Sequence, residues 1–249
     1  QVNKLVESVS IGSTPILSLS LGKNIFIANN TSDIVTVRLS DHKRSKKSIL
    51  EYSSPVSLAI SSSNRKYLFF SCPTNPALLL ETSDLETEHT INDLFPDDND
   101  QNDGIFSAIF DGIGQFCALI SRSGTLFIIS TDKYEISHKF TNIVNTQELS
   151  KLLPKTDQND TYQPIPFQSS FQHNLGNLFA IPSDTYILIY NRLEWTKKAI
   201  KLPQSPQKGL FISCQFSPNN VLLAAVTDKC ELCIYNMAND DNFTLIATY

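Results

Sequence analysis

Five times along the chain an apolar run is followed by a short polar turn and then a second β-rich run. A recurrence of that kind constrains the architecture before any single motif can. The five segments are IFIANNTSDIVTVRLS (Ile25–Ser40), LFFSCPTNPALLLETS (Leu68–Ser83), FCALISRSGTLFIIST (Phe116–Thr131), LFAIPSDTYILIYNRL (Leu178–Leu193) and LLAAVTDKCELCIYNM (Leu222–Met237). Each reads as a β-hairpin. A further short apolar strand precedes every hairpin: PILSLSL, PVSLAI, IFSAIF, PFQSSF and LFISCQF. A more polar one follows: SILEY, TEHTIN, YEISHKF, TKKAIKL and FTLIATY.

The repeating unit is therefore four strands, graded from an apolar first strand to a polar last one. Its first strands begin at Pro15, Pro55, Ile105, Pro166 and Leu210, which are 40, 50, 61 and 44 residues apart. Four strands every 40 to 45 residues or so is the pattern of a blade in an all-β, WD-repeat β-propeller. Two loops account for the longer spacings: the acidic FPDDNDQND (Phe95–Asp103) and a helix-bearing insertion over residues 142–165. In that insertion Asn145 can cap a helix with Glu148 three residues on, Leu149, Leu152 and Leu153 share a face, and Pro154 stops it. A β-sandwich also has many short strands, but it does not repeat one inner-to-outer polarity gradient at a fixed period. Five blades fill Pro15–Tyr249, and Lys4–Gly12 reads as the outer strand of another. The expectation is a single propeller domain over residues 1–249, incomplete at both ends and part of a seven-bladed ring, because an open ring would leave bare sheet edges.

Composition narrows the function classes. At 41% apolar and 18% charged residues the chain can bury a sizeable core, and no apolar run reaches the roughly 18 residues of a membrane-spanning helix. No membrane partner is expected. A net charge of −5 argues against a domain that coats phosphates with its whole surface. Five cysteines, an odd number set mostly in apolar runs, read as buried hydrophobes in a reducing compartment. Cys230 and Cys233 form a C-x-x-C pair within an expected strand, where side chains three apart face opposite ways, so no metal is expected there.

One blade carries a more specific pattern. GNLFAIPSDTYILIYNRLEWTKKAIKL (Gly176–Leu202) has AIP closing its second strand, then Tyr190, Arg192 and Trp195 as a Tyr-x-Arg followed by Trp. In this it resembles a blade of the replisome-adaptor family, the acidic nucleoplasmic DNA-binding protein or chromosome transmission fidelity factor four. Val9–Val37 and Phe211–Asn236 are similar to other blades of that family, the latter to the blade next in order. The resemblance implies a nuclear, non-catalytic scaffold. It would link replicative helicase and primase–polymerase subunits, in a full-length protein that trimerises and touches DNA through regions beyond this propeller. It also implies that Tyr190, Arg192 and Trp195 are structural signature residues.

No catalytic constellation emerges, and no cofactor or metal site is expected. The four histidines, His42, His89, His138 and His173, fall in polar turns or outer strands, where exposure is the expectation, and the inner strands repeat no acidic position. The run HKRSKK, placed in a loop between the third and fourth strands of its blade, offers Lys43, Arg44, Lys46 and Lys47 as candidates for phosphate contact. It has no interleaved aromatic residue for base stacking, so a solvated loop is the competing reading.

Overall fold

A strand at the centre of stacked sheets has neighbours on both faces, so all of its side chains must be apolar rather than every second one. The central runs of each repeat have that composition, and their packing shows why. The computed structural model describes residues 16–21, 24–29, 33–38, 41, 43–48, 58–61, 66–72, 75–83, 88–91, 105–151, 167–195, 199–239 and 242–249. Within these, the chain forms five antiparallel four-stranded sheets, each made of consecutive strands in spatial order.

The first sheet holds β1 (Ile16–Leu21), β2 (Asn24–Asn29), β3 (Asp33–Arg38) and β4 (Arg44–Ser48). The second holds β5 (Leu58–Ser61), β6 (Tyr67–Cys72), β7 (Asn75–Glu81) and β8 (Glu88–Thr90). The third holds β9 (Ile105–Phe110), β10 (Phe116–Ser121), β11 (Leu126–Ser130) and β12 (Glu135–Phe140). A short helix, α1 (Thr146–Ser150), leads to the fourth sheet, β13 (Ser170–Phe171), β14 (Leu178–Ser183), β15 (Tyr186–Asn191) and β16 (Ile200–Lys201). The fifth holds β17 (Phe211–Phe216), β18 (Leu222–Thr227), β19 (Leu232–Asn236) and β20 (Thr244–Thr248).

Alternate side chains of one strand serve two different seams. On β10, Cys117 and Leu119 join Tyr67, Phe69 and Leu79 of the second sheet, while Ala118 and Ile120 join Phe179 and Ile181 of the fourth. On β14 and β15, Phe179, Ile181, Leu188 and Tyr190 face the third sheet, and Leu178, Ala180, Ile187 and Ile189 face the fifth. Each fully buried Phe or Leu in such a seam contributes about 1.5–3 kcal/mol. The outermost strands lose this constraint: β12 and β20 alternate between exposed and half-buried positions. Among the residues whose burial is described, the central strands of the fifth sheet depart from this pattern. Leu223 and Ala225 of β18 are buried against the fourth sheet, whereas Leu222 and Val226 on its other face are 37% and 36% exposed.

Two strand expectations are corrected. The strand paired with β3 in the first blade is Arg44–Ser48, so the basic run lies in a strand rather than a loop; residues 49–52 of the expected strand SILEY lie outside the described residues. Its register sets Lys47, Lys46 and Arg44 opposite Ile34, Val35 and Val37. The inner strand PFQSSF is regular only at Ser170–Phe171. Gln168 instead bonds to the fifth sheet, donating to Ile212 O at 3.0 Å and accepting from Cys214 N at 2.9 Å, in a parallel bridge.

With 8 glycines in 249 residues, the turns place other side chains in left-handed backbone. Gly124 (φ 82°) and Cys230 (φ 61°) hold the same position in equivalent turns, each N–H donating to a residue three back, Ser121 O and Thr227 O. Cys230 is thus an exposed turn residue and not part of a strand, which corrects the reading of the C-x-x-C pair. A Cβ in this conformation costs about 1–2 kcal/mol, partly offset by the greater unfolded-state freedom of glycine. Cys230→Gly should therefore stabilise the fold by roughly 0.5–1 kcal/mol, seen as a raised thermal midpoint. A lowered midpoint would contradict the turn geometry.

Candidate functional site

The seam between the third and fourth blades gathers all three signature residues. Arg192, just past β15, donates its backbone N–H to Asn177 O at 2.7 Å, which turns its side chain back across the seam. There its guanidinium Nη1 lies 2.6 Å from Asp111 Oδ2, with both side chains buried. The other oxygen of Asp111 accepts from the N–H groups of Gln115 (2.7 Å) and Phe116 (3.1 Å). Every strong polar atom of the carboxylate is thereby engaged, the condition under which a buried ion pair is tolerable. Trp195 is 3% exposed and sits edge-on to Phe116, Phe171 and Phe179 at 6.1–6.4 Å between ring centres, with Tyr190 tilted at 6.1 Å. Its Nε1 is buried and has no hydrogen-bond partner among the described residues, so packing against these rings holds it. These residues hold blades together.

The same seam opens at one end into a groove of about 720 Å³. Gly124 makes it possible: a Cβ there would stand 2.0 Å from Val144 O, so only glycine lets the segment after β12 close onto the turn. Gly124 O then accepts from the N–H groups of Ile143 (2.9 Å) and Val144 (3.2 Å), while Ser183 Oγ of the fourth blade donates to Ile143 O. The bridging segment runs on into α1, where Asn145 caps by accepting from Glu148 N at 3.3 Å and Leu149 is buried. The sequence-based helix is present. Leu152, Leu153 and Pro154 lie outside the described residues. Apolar Ile143, Val144 and Leu188 line the groove along with Arg122, Asp184 and Lys201. Lys201 Nζ rests 4.4 Å from the centre of the Tyr186 ring, a cation–π contact that holds the ammonium at the groove.

The basic run has a different setting. Lys43 is exposed and lies 3.9 Å from Asp41 Oδ2, which also takes Arg38 Nη1 at 3.1 Å. The backbone of Arg44, Lys46 and Lys47 lies in β4, well apart in sequence from the groove segments. Asp97–Asp103 and His42 lie outside the described residues.

The remaining histidines are half-buried rather than exposed. His89 stacks on Tyr134 with ring centres 3.6 Å apart and meets Glu81 Oε1 at 3.4 Å. Its neighbour Tyr134 has its phenol pushed up to about 12 by burial and by Tyr67, whose hydroxyl is 3.0 Å away. His173 N donates to Asn220 Oδ1 at 2.8 Å, and Asn220 Nδ2 donates to His173 O at 3.0 Å, an amide clamp between the fourth and fifth blades. His138 lies 6.2 Å from the Trp195 ring, and burial lowers its pKa below the ordinary 6.5. The folded state thus resists protonation of His138, so stability should fall as pH drops through about 6.5, because the unfolded chain binds the proton more readily. Urea midpoints at about pH 7 and pH 5 check this: a His138→Gln variant should lose less stability than the parent, and an equal loss would contradict it.

Among the described residues no cluster of three or more His, Cys, Asp or Glu side chains could hold a metal ion. Cys117, Cys214 and Cys233 are buried, and burial raises each thiol pKa, so they pack as neutral hydrophobes.

No family model and no curated protein matches the chain. Solved structures do: 1584 chains match, a breadth that marks a shared architecture rather than a shared activity. A chain from the crystal structure of the mitotic checkpoint complex superposes with a TM-score of 0.67 at 11% identity, over 96% of this chain and 66% of that one. The present chain thus spans just under two thirds of that chain's length. The β-propeller domain of Myceliophteria thermophila Cps50 (Swd1) superposes with a TM-score of 0.50 at 14% identity, over 90% of this chain and 83% of that domain. Identities this low speak to fold alone. Five successive four-stranded sheets, sharing seams and superposing on these structures, make the chain an all-β propeller of the WD-repeat kind.

Proposed function

We propose that this propeller is a non-catalytic, nuclear protein-interaction scaffold: the N-terminal propeller of a replisome adaptor that links the replicative helicase with primase–polymerase. The observation that carries the reading is the fourth blade. Its Tyr190, Arg192 and Trp195, the residues through which Gly176–Leu202 resembles that family, form one buried unit tied to Asp111 of the blade before. A pattern whose members pack together has a physical reason to occur as a set. Helicase and polymerase subunits are the partners of this reading, with trimer formation and DNA contact assigned to regions beyond the propeller. Proximity labelling in cells, with the full-length protein as bait, tests it. Helicase and polymerase subunits should be enriched; coat or ubiquitin-ligase components without any replication subunit would overturn it. A second reading, a WD-repeat interaction module of another intracellular assembly, rests on the propeller fold alone. The same labelling decides between them.

A further inference from the structure

We propose that the leading face of the fifth sheet, the one turned away from the fourth, is the seat of a sixth four-stranded sheet from the same polypeptide, packed on it as the fourth packs on the third. Strand register defines that face. Across β18 and β19, Ala224 stands opposite Ile234 and Val226 opposite Leu232, and Leu222 points the same way by alternation. In the third sheet the same places in the ladder are held by Ala118 opposite Ile128 and Ile120 opposite Leu126. The inner strands agree, since Ser213 stands opposite Val226 as Ser107 stands opposite Ile120. Ala118, Ile120, Leu126 and Ile128 are at most 1% exposed, because the fourth sheet covers them. Their counterparts in the fifth sheet keep the apolar character without the cover: Ala224, Leu232 and Ile234 are half-buried, and Leu222 and Val226 are exposed. A repeated sheet cannot bury both of its faces alone, and stacking against the next unit is what buries the second.

The occupant follows from how the existing seams are built. Each joins the leading face of one sheet to the trailing face of the next, so the fifth sheet calls for a free trailing face. A second copy of this chain has none to offer among the described residues. Leu68, Leu119, Ile181 and Ala225, on the trailing faces of the second to fifth sheets, are at most 1% exposed. In the first sheet Val35 and Val37, which hold the places of Phe127 and Ile129 in the third, are 6% and 4% exposed. The first sheet therefore does not close the ring onto the fifth either, and a further sheet of the same kind, tethered to these five, completes the series.

Hydroxyl-radical footprinting of the purified full-length protein, with no substitution, tests this on leucines alone, so that side-chain chemistry is constant. Leu175 and Leu193, 72% and 69% exposed, set the open rate, and Leu223, 0% exposed beneath the fourth sheet, sets the closed one. An uncovered Leu222, at 37% exposure, should react at about half the open rate. Under a sixth sheet it should react at less than about one fifth of the open rate, near Leu223, because packed interiors exclude water-borne reagents. Any higher rate would overturn the proposal. Protection should also survive a roughly hundredfold dilution, since a tethered sheet stays at high effective concentration. Protection that disappears on dilution would assign the face to a second copy and overturn it as well. Either result leaves the interaction-module reading untouched.

Discussion

Replacing Arg192 with leucine is expected to destabilise the propeller by about 3–5 kcal/mol, because it removes the guanidinium paired with the Asp111 carboxylate in a site where that side chain is 1% exposed. The two N–H groups from Gln115 and Phe116 remain on one oxygen, but the other loses the guanidinium that lies 2.6 Å from it. The loss is not the worth of the ion pair itself. Removing both charges, Arg192→Leu with Asp111→Leu, should recover much of the stability, since an apolar pair of similar volume avoids the desolvation that the charges incur. Urea unfolding supplies both values. The protein's single tryptophan, Trp195, lies in the same seam and reports the transition by fluorescence. A single variant within about 1 kcal/mol of the parent would mean that water reaches the carboxylate and that the seam is looser than described.

Trp195→Ala is expected to cost a comparable 3–5 kcal/mol, by a different mechanism. Four aromatic rings, those of Phe116, Phe171, Phe179 and Tyr190, surround the indole within 6.4 Å. They stand on four strands of two blades, so they cannot all collapse into the space that truncation leaves. Because Nε1 has no hydrogen-bond partner among the described residues, Trp195→Phe removes volume and no polar contact seen there. It should cost distinctly less than the alanine variant. Circular dichroism during urea unfolding measures both, since neither variant keeps the fluorophore. Equal losses for Phe and Ala would show that a polar contact, and not packing, holds the residue.

Both predictions concern residues that were legible in the sequence as a signature but not as a mechanism. Tyr190, Arg192 and Trp195 stand close together in the chain, whereas Asp111 lies 81 positions before Arg192, and nothing local to Asp111 marks it as a partner. The blade pattern was legible for a clear physical reason. A strand such as FCALIS must supply apolar side chains to two seams at once, and that leaves continuous runs that a one-sided sheet would not need. The basic run of the first blade reads as a loop because its charges give it poor β-propensity, yet RSKKS pairs with β3 through its backbone. The inner strand at Ser170 came out short because Gln168 bonds to the neighbouring blade, a choice made by tertiary contact. The histidines were expected at the surface because their neighbours in sequence are polar; Tyr134, Trp195 and Asn220, which cover them, are distant in the chain. The groove was invisible for the same reason, since it joins two turns, a helix approach and an outer strand from two blades.

The account depends above all on sheets set side by side around an axis, each sharing its two faces with different neighbours. A crystal structure of the chain tests that directly. It should show the Arg192 guanidinium of one sheet paired with Asp111 of the sheet before it, and Leu119 and Ile120 buried in different seams. Two sheets packed face to face over a single core, with Asp111 and Arg192 apart and exposed, would contradict it.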